Sequence, residues 1–165
     1  MKILLLGKNG QVGWELQRAL APLGDVVACG RAEVDLGDLA GLTRLVRSVN
    51  PAVIVNAAAY TAVDQAEVEP TRAHAVNCDG AMHLAAAATK RGIPFVHIST
   101  DYVFDGRKSE PYREDDTPAP LNTYGRSKLE GEVAVRNACP DAVVIRTSWV
   151  YSAYGHNFEI GRAHV

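Results

Sequence analysis

A doubly wound parallel α/β sheet is the fold this sequence predicts, and three observations carry the prediction. Short apolar runs alternate with segments of helical period along the chain. The first apolar run ends in a glycine turn that opens directly into an amphipathic helix. Hydroxyl, amide and acidic residues gather after the later apolar runs, where the carboxyl ends of parallel strands would lie.

Lys2–Leu6 is a short apolar run closed by Gly7, the pattern of a strand buried on both faces. Gly7-Lys8-Asn9-Gly10-Gln11-Val12-Gly13 follows, with the spacing G-x-x-G-x-x-G. A helix is predicted next, with Val12, Leu16, Ala19, Leu20 and Leu23 on one face, Pro22 near its end and Gly24 closing it. Gly7, Gly10 and Gly13 let backbone approach a pyrophosphate, and the helix N-terminus supplies free N–H groups and positive dipole. Asp25–Cys29 is the second strand. A ribose-binding carboxylate usually stands at such a strand's end, but here the sequence has Gly30-Arg31. Gly30 leaves room and Arg31 can pair with a 2′-phosphate, which favours NADPH, with NADH as the alternative. Asp35 and Leu36 can flank an adenine, or Asp35 can belong to a plain turn.

Asp38 predicts a helix cap, and Leu39, Leu42, Leu45, Val46 and Val49 line one face before Asn50-Pro51 ends the helix. Residues 52–55 form the third strand. The small residues Ala57, Ala58 and Ala59 after it leave space for a flat cofactor. Residues 60–69 read as a polar loop and 70–90 as one long helix, with Asn77 placed to bond across to a neighbouring helix or to lie exposed. Residues 93–98 are the fourth strand, 106–120 a Pro-rich loop that can serve as a lid, and 142–147 the fifth strand.

Length and composition bound the function. A chain of 165 residues suits one domain with a sizeable core, and 47% apolar with 22% charged residues is ordinary for a globular protein. Seventeen basic against nineteen acidic side chains give a net charge of −2, so no basic footprint points to nucleic acid. Cys29, Cys78 and Cys139 fit no metal or disulfide spacing and read as buried thiols of a reducing compartment. The apolar run after Lys2 is too short for a signal peptide core, and no run approaches membrane-spanning length. The expected location is the cytoplasm.

The chemistry centres on Tyr124-Gly125-Arg126-Ser127-Lys128. On a helix, positions four apart share a face. A phenol with a pKa ordinarily about 10 becomes a usable proton donor when a fixed cation beside it lowers that value. Thr100, at the end of the fourth strand, is placed to donate to a carbonyl oxygen, with Asp101 beside it. Glycine turn, Thr100 and the Tyr124/Lys128 pair converge on the carboxyl edge of the sheet. They suit hydride transfer between nicotinamide and a carbonyl: Tyr124 gives the proton, Lys128 lowers its pKa and can hold the ribose hydroxyls, and Thr100 polarises the carbonyl. His97, within the fourth strand, reads as a packed core histidine.

Gly7 to Gly13, Asn56 to Ala59, Ser99 to Gly106 and Tyr124 to Lys128 resemble the extended short-chain dehydrogenase/reductases, with their Rossmann-like fold. Gly10-Gln11-Val12-Gly13-Trp14-Glu15-Leu16, Ala59-Tyr60-Thr61-Ala62-Val63-Asp64, Ser99-Thr100-Asp101-Tyr102-Val103-Phe104 and Pro120-Leu121-Asn122-Thr123-Tyr124-Gly125 resemble, more narrowly, the dTDP-4-dehydrorhamnose reductase family. That resemblance implies NADPH-dependent reduction of the 4-keto group of dTDP-4-dehydro-L-rhamnose to dTDP-L-rhamnose, a bacterial cell-surface sugar donor. It implies Thr100, Tyr124 and Lys128 as the catalytic set. It implies cofactor contacts at Gln11, Val12, Asp35, Leu36, Ala59, Tyr60, Thr61, Tyr124 and Lys128. Some members bind Mg²⁺ at a dimer interface through a glutamate matching Glu15, with their other ligands in a C-terminal half. A homodimer is accordingly implied for the full-length protein.

The resemblance covers residues 1–158, read as the NAD(P)-binding domain, with a C-terminal sugar-nucleotide domain largely missing. Residues 159–165 have no apolar period and no counterpart in the family. One coding string for them, GAG ATC GGA AGA GCA CAC GTC, runs from its second base like a common sequencing-library adapter. The expectation is therefore adapter read-through on a gene cut short, the alternative being a genuine divergent terminus. A fragment of this extent is expected to bind cofactor without useful turnover. Two other readings stand beside the reductase. One is an epimerase or dehydratase of the same extended family. The other is a non-enzymatic NADP-binding regulator resembling the regulatory subunit of methionine adenosyltransferase.

Overall fold

The computed structural model of the chain describes residues 1–155; the expectations made for 156–165, the tail among them, lie outside the described residues. Five strands form one parallel sheet: β1 (Lys2–Leu6), β2 (Asp25–Cys29), β3 (Val53–Asn56), β4 (Phe95–Thr100) and β5 (Val143–Thr147). Their order is β2-β1-β3-β4-β5, the Rossmann-like doubly wound arrangement. The chain runs from β1 outward to β2, then returns to the other side of β1 for β3. That reversal opens a crevice at the carboxyl ends of β1 and β3, where ligands of such sheets bind.

Parallel strands need long crossovers, and helices fill them. α1 (Gln11–Leu20) packs Leu16 and Leu20 on Ile3, Leu5 and Val55. The alternate side chains Leu4, Leu6 and Ile54 face the opposite layer. There α2 (Leu39–Val49), α5 (Ala81–Arg91) and α6 (Thr123–Ala138) supply Leu42, Val46, Leu84, Ala88 and Val135. Val143 and Ile145 of β5 pair with Val96 and Ile98 and remain exposed. Among the described residues no helix is long and apolar enough to cross a membrane. Cys29, Cys78 and Cys139 are buried and free.

Three elements differ from the sequence expectation. The segment read as a polar loop contains a short helix, α3 (Val63–Val68). Its single buried residue, Ala66, is too small to give an apolar period, and Glu67 accepts from Thr123 N and Oγ1 at 2.7 and 2.6 Å to tie it to α6. The helix predicted over 70–90 runs as α4 (Pro70–His74), a π-helical segment (Ala75–Gly80) and α5. The wider turn lets the Asn77 carbonyl approach α6 so closely that a Cβ on Gly131 would lie 2.1 Å from it. β4 also extends to Thr100, because Ser99 and Thr100 pair with Arg146 and Thr147.

Candidate active site

The site is built first from backbone. Gly7, at φ +92°, turns β1 into the loop, and its N–H donates to Cys29 O at 2.8 Å. Gly13 sits against that turn: a Cβ there would lie 2.0 Å from Gly7 O. The start of α1 is therefore held directly over the turn, and no side chain caps its first N–H groups. A helix N-terminus left open beside a glycine cradle fits a pyrophosphate.

A cavity of about 220 Å³ lies on one side of this cradle, lined by Gly7, Gly10, Gly30, Arg31, Asp35 and Leu36. A second, of about 580 Å³, lies on the other, lined by Gln11, Val12, Thr100, Asp101, Tyr124 and Lys128 among others. Asn9, Gly10, Ala57, Ala59 and Thr61 line both, so the two form one trough along the carboxyl edge of the sheet. At the first end Arg31 is exposed, with Asp35 3.8 Å away. An acid does stand near the end of β2: Glu33 accepts from Gly30 N at 2.7 Å and from Lys8 Nζ at 2.6 Å. The Lys8 bond, followed by the Gly30 bond, holds its carboxyl below the usual range, and it does not line the cavity.

At the other end the Asn122 side chain accepts from Gly125 N at 2.7 Å and starts α6, which presents Tyr124 and Lys128 one turn apart. Tyr124 is 8% exposed and meets the Tyr102 ring edge-on, with centroids 5.5 Å apart. Thr100 Oγ1 donates to Asp101 Oδ1 at 3.2 Å and accepts from Tyr102 N at 3.2 Å. Lys128 is 1% exposed; its Nζ donates to Ile98 O at 2.8 Å and lies 3.3 Å from His97 Nε2. The expected lowering of the Tyr124 pKa by Lys128 is corrected by this geometry. Burial pushes the phenol up and outweighs the hydrogen bond with Thr100 that pulls it down. Burial also brings Lys128 itself down to about 8, against the opposing pull of Glu132.

Several predicted contacts do not reach the trough. The Tyr60 ring turns away: its hydroxyl donates to Glu69 at 2.6 Å, and that bond raises its pKa. Only the Tyr60 backbone stands near the site, clamped by Asn77, whose Oδ1 accepts from Tyr60 N at 2.8 Å and whose Nδ2 donates to Tyr60 O at 3.1 Å and Ser127 Oγ at 2.9 Å. Gly13 acts by packing. Glu15 pairs with Arg18 at 2.5 Å and, among the described residues, belongs to no group of three or more metal-ligating side chains; the further ligands that the resemblance implies belong to a C-terminal half. The loop over 106–120, read as a lid, leans on the β5 side: Tyr112 stacks on Phe104 at 4.2 Å and donates to Asp105 at 2.7 Å.

Sequence reasoning missed a buried polar layer behind the site. Glu132, 2% exposed, accepts from Ser99 Oγ at 2.5 Å and is gripped by Arg146 through contacts of 2.7 to 3.2 Å. Its signal was available, since Tyr124, Lys128 and Glu132 continue one four-residue period along α6. Asn56 and His97, both fully buried, join the same layer.

The chain matches the family model described as RmlD substrate binding domain over residues 1–161. It is 55% identical over 158 residues to a dTDP-4-dehydrorhamnose reductase of Burkholderia thailandensis, covering 96% of this chain and 53% of that one. It is 51% identical to a protein of that name from Escherichia coli K12, covering 96% and 54%. The chain thus spans about half the length of the curated relatives it matches. A dTDP-4-dehydrorhamnose reductase from Bacillus anthracis, solved in complex with NADP, superposes with a TM-score of 0.94 at 38% identity, over 99% of this chain and 58% of that one. A UDP-glucose 4-epimerase of Thermus thermophilus, at 23% identity and a TM-score of 0.83, shares the fold. On the strength of the family model and these identities, the chain belongs to the RmlD substrate binding domain family.

Proposed function

We propose that this chain is the cofactor-binding and proton-donating part of an NADPH-dependent reductase that converts the 4-keto group of dTDP-4-dehydro-L-rhamnose to the alcohol of dTDP-L-rhamnose. The observation that carries it is the single trough joining the glycine cradle to Thr100, Tyr124 and Lys128. The names of the relatives, and the NADP bound in the Bacillus anthracis structure, support the same reading.

The residues present fit the cofactor. The α1 N-terminus and the turn from Gly7 to Gly13 would hold the pyrophosphate, and Asp35 and Leu36 would border the adenine. Arg31 would pair with a 2′-phosphate, with Glu33 neutralised by Lys8 beside it. Ala59 and Thr61 line the middle, and Lys128 reaches the ribose hydroxyls. When bound, NADPH supplies the hydride. Tyr124 donates its proton to the developing alkoxide at C4, and its raised pKa keeps the phenol protonated until that charge forms. Thr100 Oγ1 gives its one proton to Asp101 Oδ1 in the cofactor-free site, and by turning that proton away from Asp101 it can donate a hydrogen bond to the C4 oxygen. This chain spans about half the length of the relatives named above, and the part of those relatives beyond the match is the proposed source of the grip on the distal sugar nucleotide.

The test has two arms. Fluorescence titration of the 165-residue chain should give tighter binding of NADPH than of NADH. A chimera joining residues 1–155 to the C-terminal half of the Burkholderia relative should oxidise NADPH when given dTDP-4-dehydro-L-rhamnose. Tyr124→Phe in that chimera should lower kcat by about 10²- to 10⁴-fold with cofactor affinity unchanged. An inactive chimera that binds both ligands, or one indifferent to loss of the phenol, would overturn the proposal.

A further inference from the structure

Behind the trough one chain of hydrogen bonds has its direction fixed. The backbone N–H of Ala58 can only donate, and it points at Asn56 Oδ1 at 3.1 Å. That turns Asn56 Nδ2, a donor, toward His97 Nδ1 at 3.2 Å. His97 Nδ1 must then accept, so the ring's single proton sits on Nε2, which faces Lys128 Nζ at 3.3 Å. Lys128 Nζ meanwhile donates to Ile98 O at 2.8 Å.

Each alternative sets two donors face to face. Flipping the Asn56 amide puts its NH₂ against the Ala58 N–H. Moving the ring proton to Nδ1 puts it against Asn56 Nδ2. An ammonium at Lys128 puts N–H against N–H at His97 Nε2. Only a neutral amine, accepting from His97 and donating to Ile98, makes every contact a donor–acceptor pair. Asn56, His97 and Lys128 are at most 1% exposed, so bulk water does not share these contacts.

We propose that Asn56 and His97 are positioning residues that hold Lys128 as a neutral amine in the cofactor-free site, and that Lys128 takes up a proton when it engages a dinucleotide. Only the second half rests on the function proposed above. In the uptake step a solvent proton adds to the Nζ lone pair, the His97 N–H···N bond is released, and the new ammonium donates to ribose hydroxyls.

The surroundings favour this balance. From β4, Lys128 meets His97 and the Ile98 carbonyl; from β3, neutral Asn56 stands behind the ring. On its own helix it meets Tyr124, kept neutral by burial, and Glu132, whose charge favours the ammonium but is gripped by Arg146 and Ser99. Asp101 lines the same trough and is exposed. Burial brings Lys128 to about 8, so the neutral amine is the main form above that pH. His97 is held well below the ordinary histidine value by burial above all, so the ring does not become a two-donor imidazolium even beside a neutral amine.

Nitrogen-15 NMR of the labelled 165-residue chain reads both groups. His97 should show the Nε2–H tautomer, and Lys128 Nζ should titrate with a midpoint at or below about 8. In Asn56→Asp the carboxylate accepts from both Ala58 N–H and the ring, so His97 should switch to Nδ1–H and the Lys128 midpoint rise by about 1 pH unit or more. Calorimetry at pH 9 in buffers of different ionisation enthalpy should show about one proton taken up per NADPH bound. An Nδ1–H tautomer in the unaltered chain, or a Lys128 that stays charged through pH 9, overturns the first half whatever the cofactor does. Those two measurements decide it even if Asn56→Asp fails to fold. NADPH binding with no proton uptake overturns the second half. Failure to bind NADPH at all refutes the functional reading and the uptake with it, while the tautomer and midpoint still decide the first half.

Discussion

Gly13→Ala tests the cradle from which the cofactor reading starts. The added methyl carbon would lie 2.0 Å from Gly7 O, and ordinary contact begins at 3.4 Å, so 3.4 − 2.0 = 1.4 Å of separation must be found. Neither partner is a side chain that can swing aside. Gly7 is tied by its N–H to Cys29 O at 2.8 Å, so the start of α1 must lift from the turn. Alanine in place of glycine inside a helix gains about 1 kcal/mol. Overpacking costs about 1–3 kcal/mol, and a collision of backbone on backbone belongs at the upper end. The net expectation is a loss of about 1–2 kcal/mol in urea unfolding followed by circular dichroism. The lift also carries away N–H groups aimed at phosphate, each charge-assisted bond being worth about 1.5–3 kcal/mol, so NADPH should bind at least about 10-fold more weakly. A variant as stable as the parent with the same affinity would refute the close approach and the cradle together. A destabilised variant with unchanged affinity would refute the phosphate role and spare the packing.

Three further outcomes are expected. Arg146→Ala removes the guanidinium that grips Glu132, itself 3% exposed at the side chain, and should cost about 3 kcal/mol in urea unfolding; a loss under about 1 kcal/mol would mean that Ser99 and water suffice. Asn77→Ala leaves the Tyr60 N–H and C=O unpaired and should cost about 2–4 kcal/mol, while an unchanged unfolding midpoint would show that the clamp is dispensable. Lys128, lowered from 10.5 to about 8, binds fewer protons folded than unfolded across that window. Its contribution is therefore fully present above 10.5 and declines as pH falls toward 8. Stability should rise by about 1 kcal/mol from pH 8 to 9 relative to Lys128→Met, and identical slopes in the two proteins would sink the assignment.

What could be read from the sequence and what could not divides along physical lines. The strands of the sheet were legible because each is a short apolar run, and the trough because a glycine turn and a strand-end Thr100 announce themselves locally. α3 was not, since one buried alanine makes no period. The π turn was not, since its cause is the approach of Gly131 from a helix fifty residues further on. The electrostatic expectation failed for a related reason. Two residues four apart on a helix do share a face, but whether a cation lowers its neighbour's pKa depends on where its charge is spent and how dry the site is. Here Lys128 spends its hydrogen bonds on Ile98 and His97 of β4, and both it and Tyr124 are buried. Burial disfavours the charged form of each, so it raises the phenol from its ordinary value of 10.0 and lowers the amine from 10.5 to about 8, driving the two pKa values apart. With the amine the weaker base of the two, the proton stays on the phenol until an alkoxide develops, so the site's reactivity is set by the layer beneath it, Asn56, His97 and Glu132, as much as by the pair in the groove.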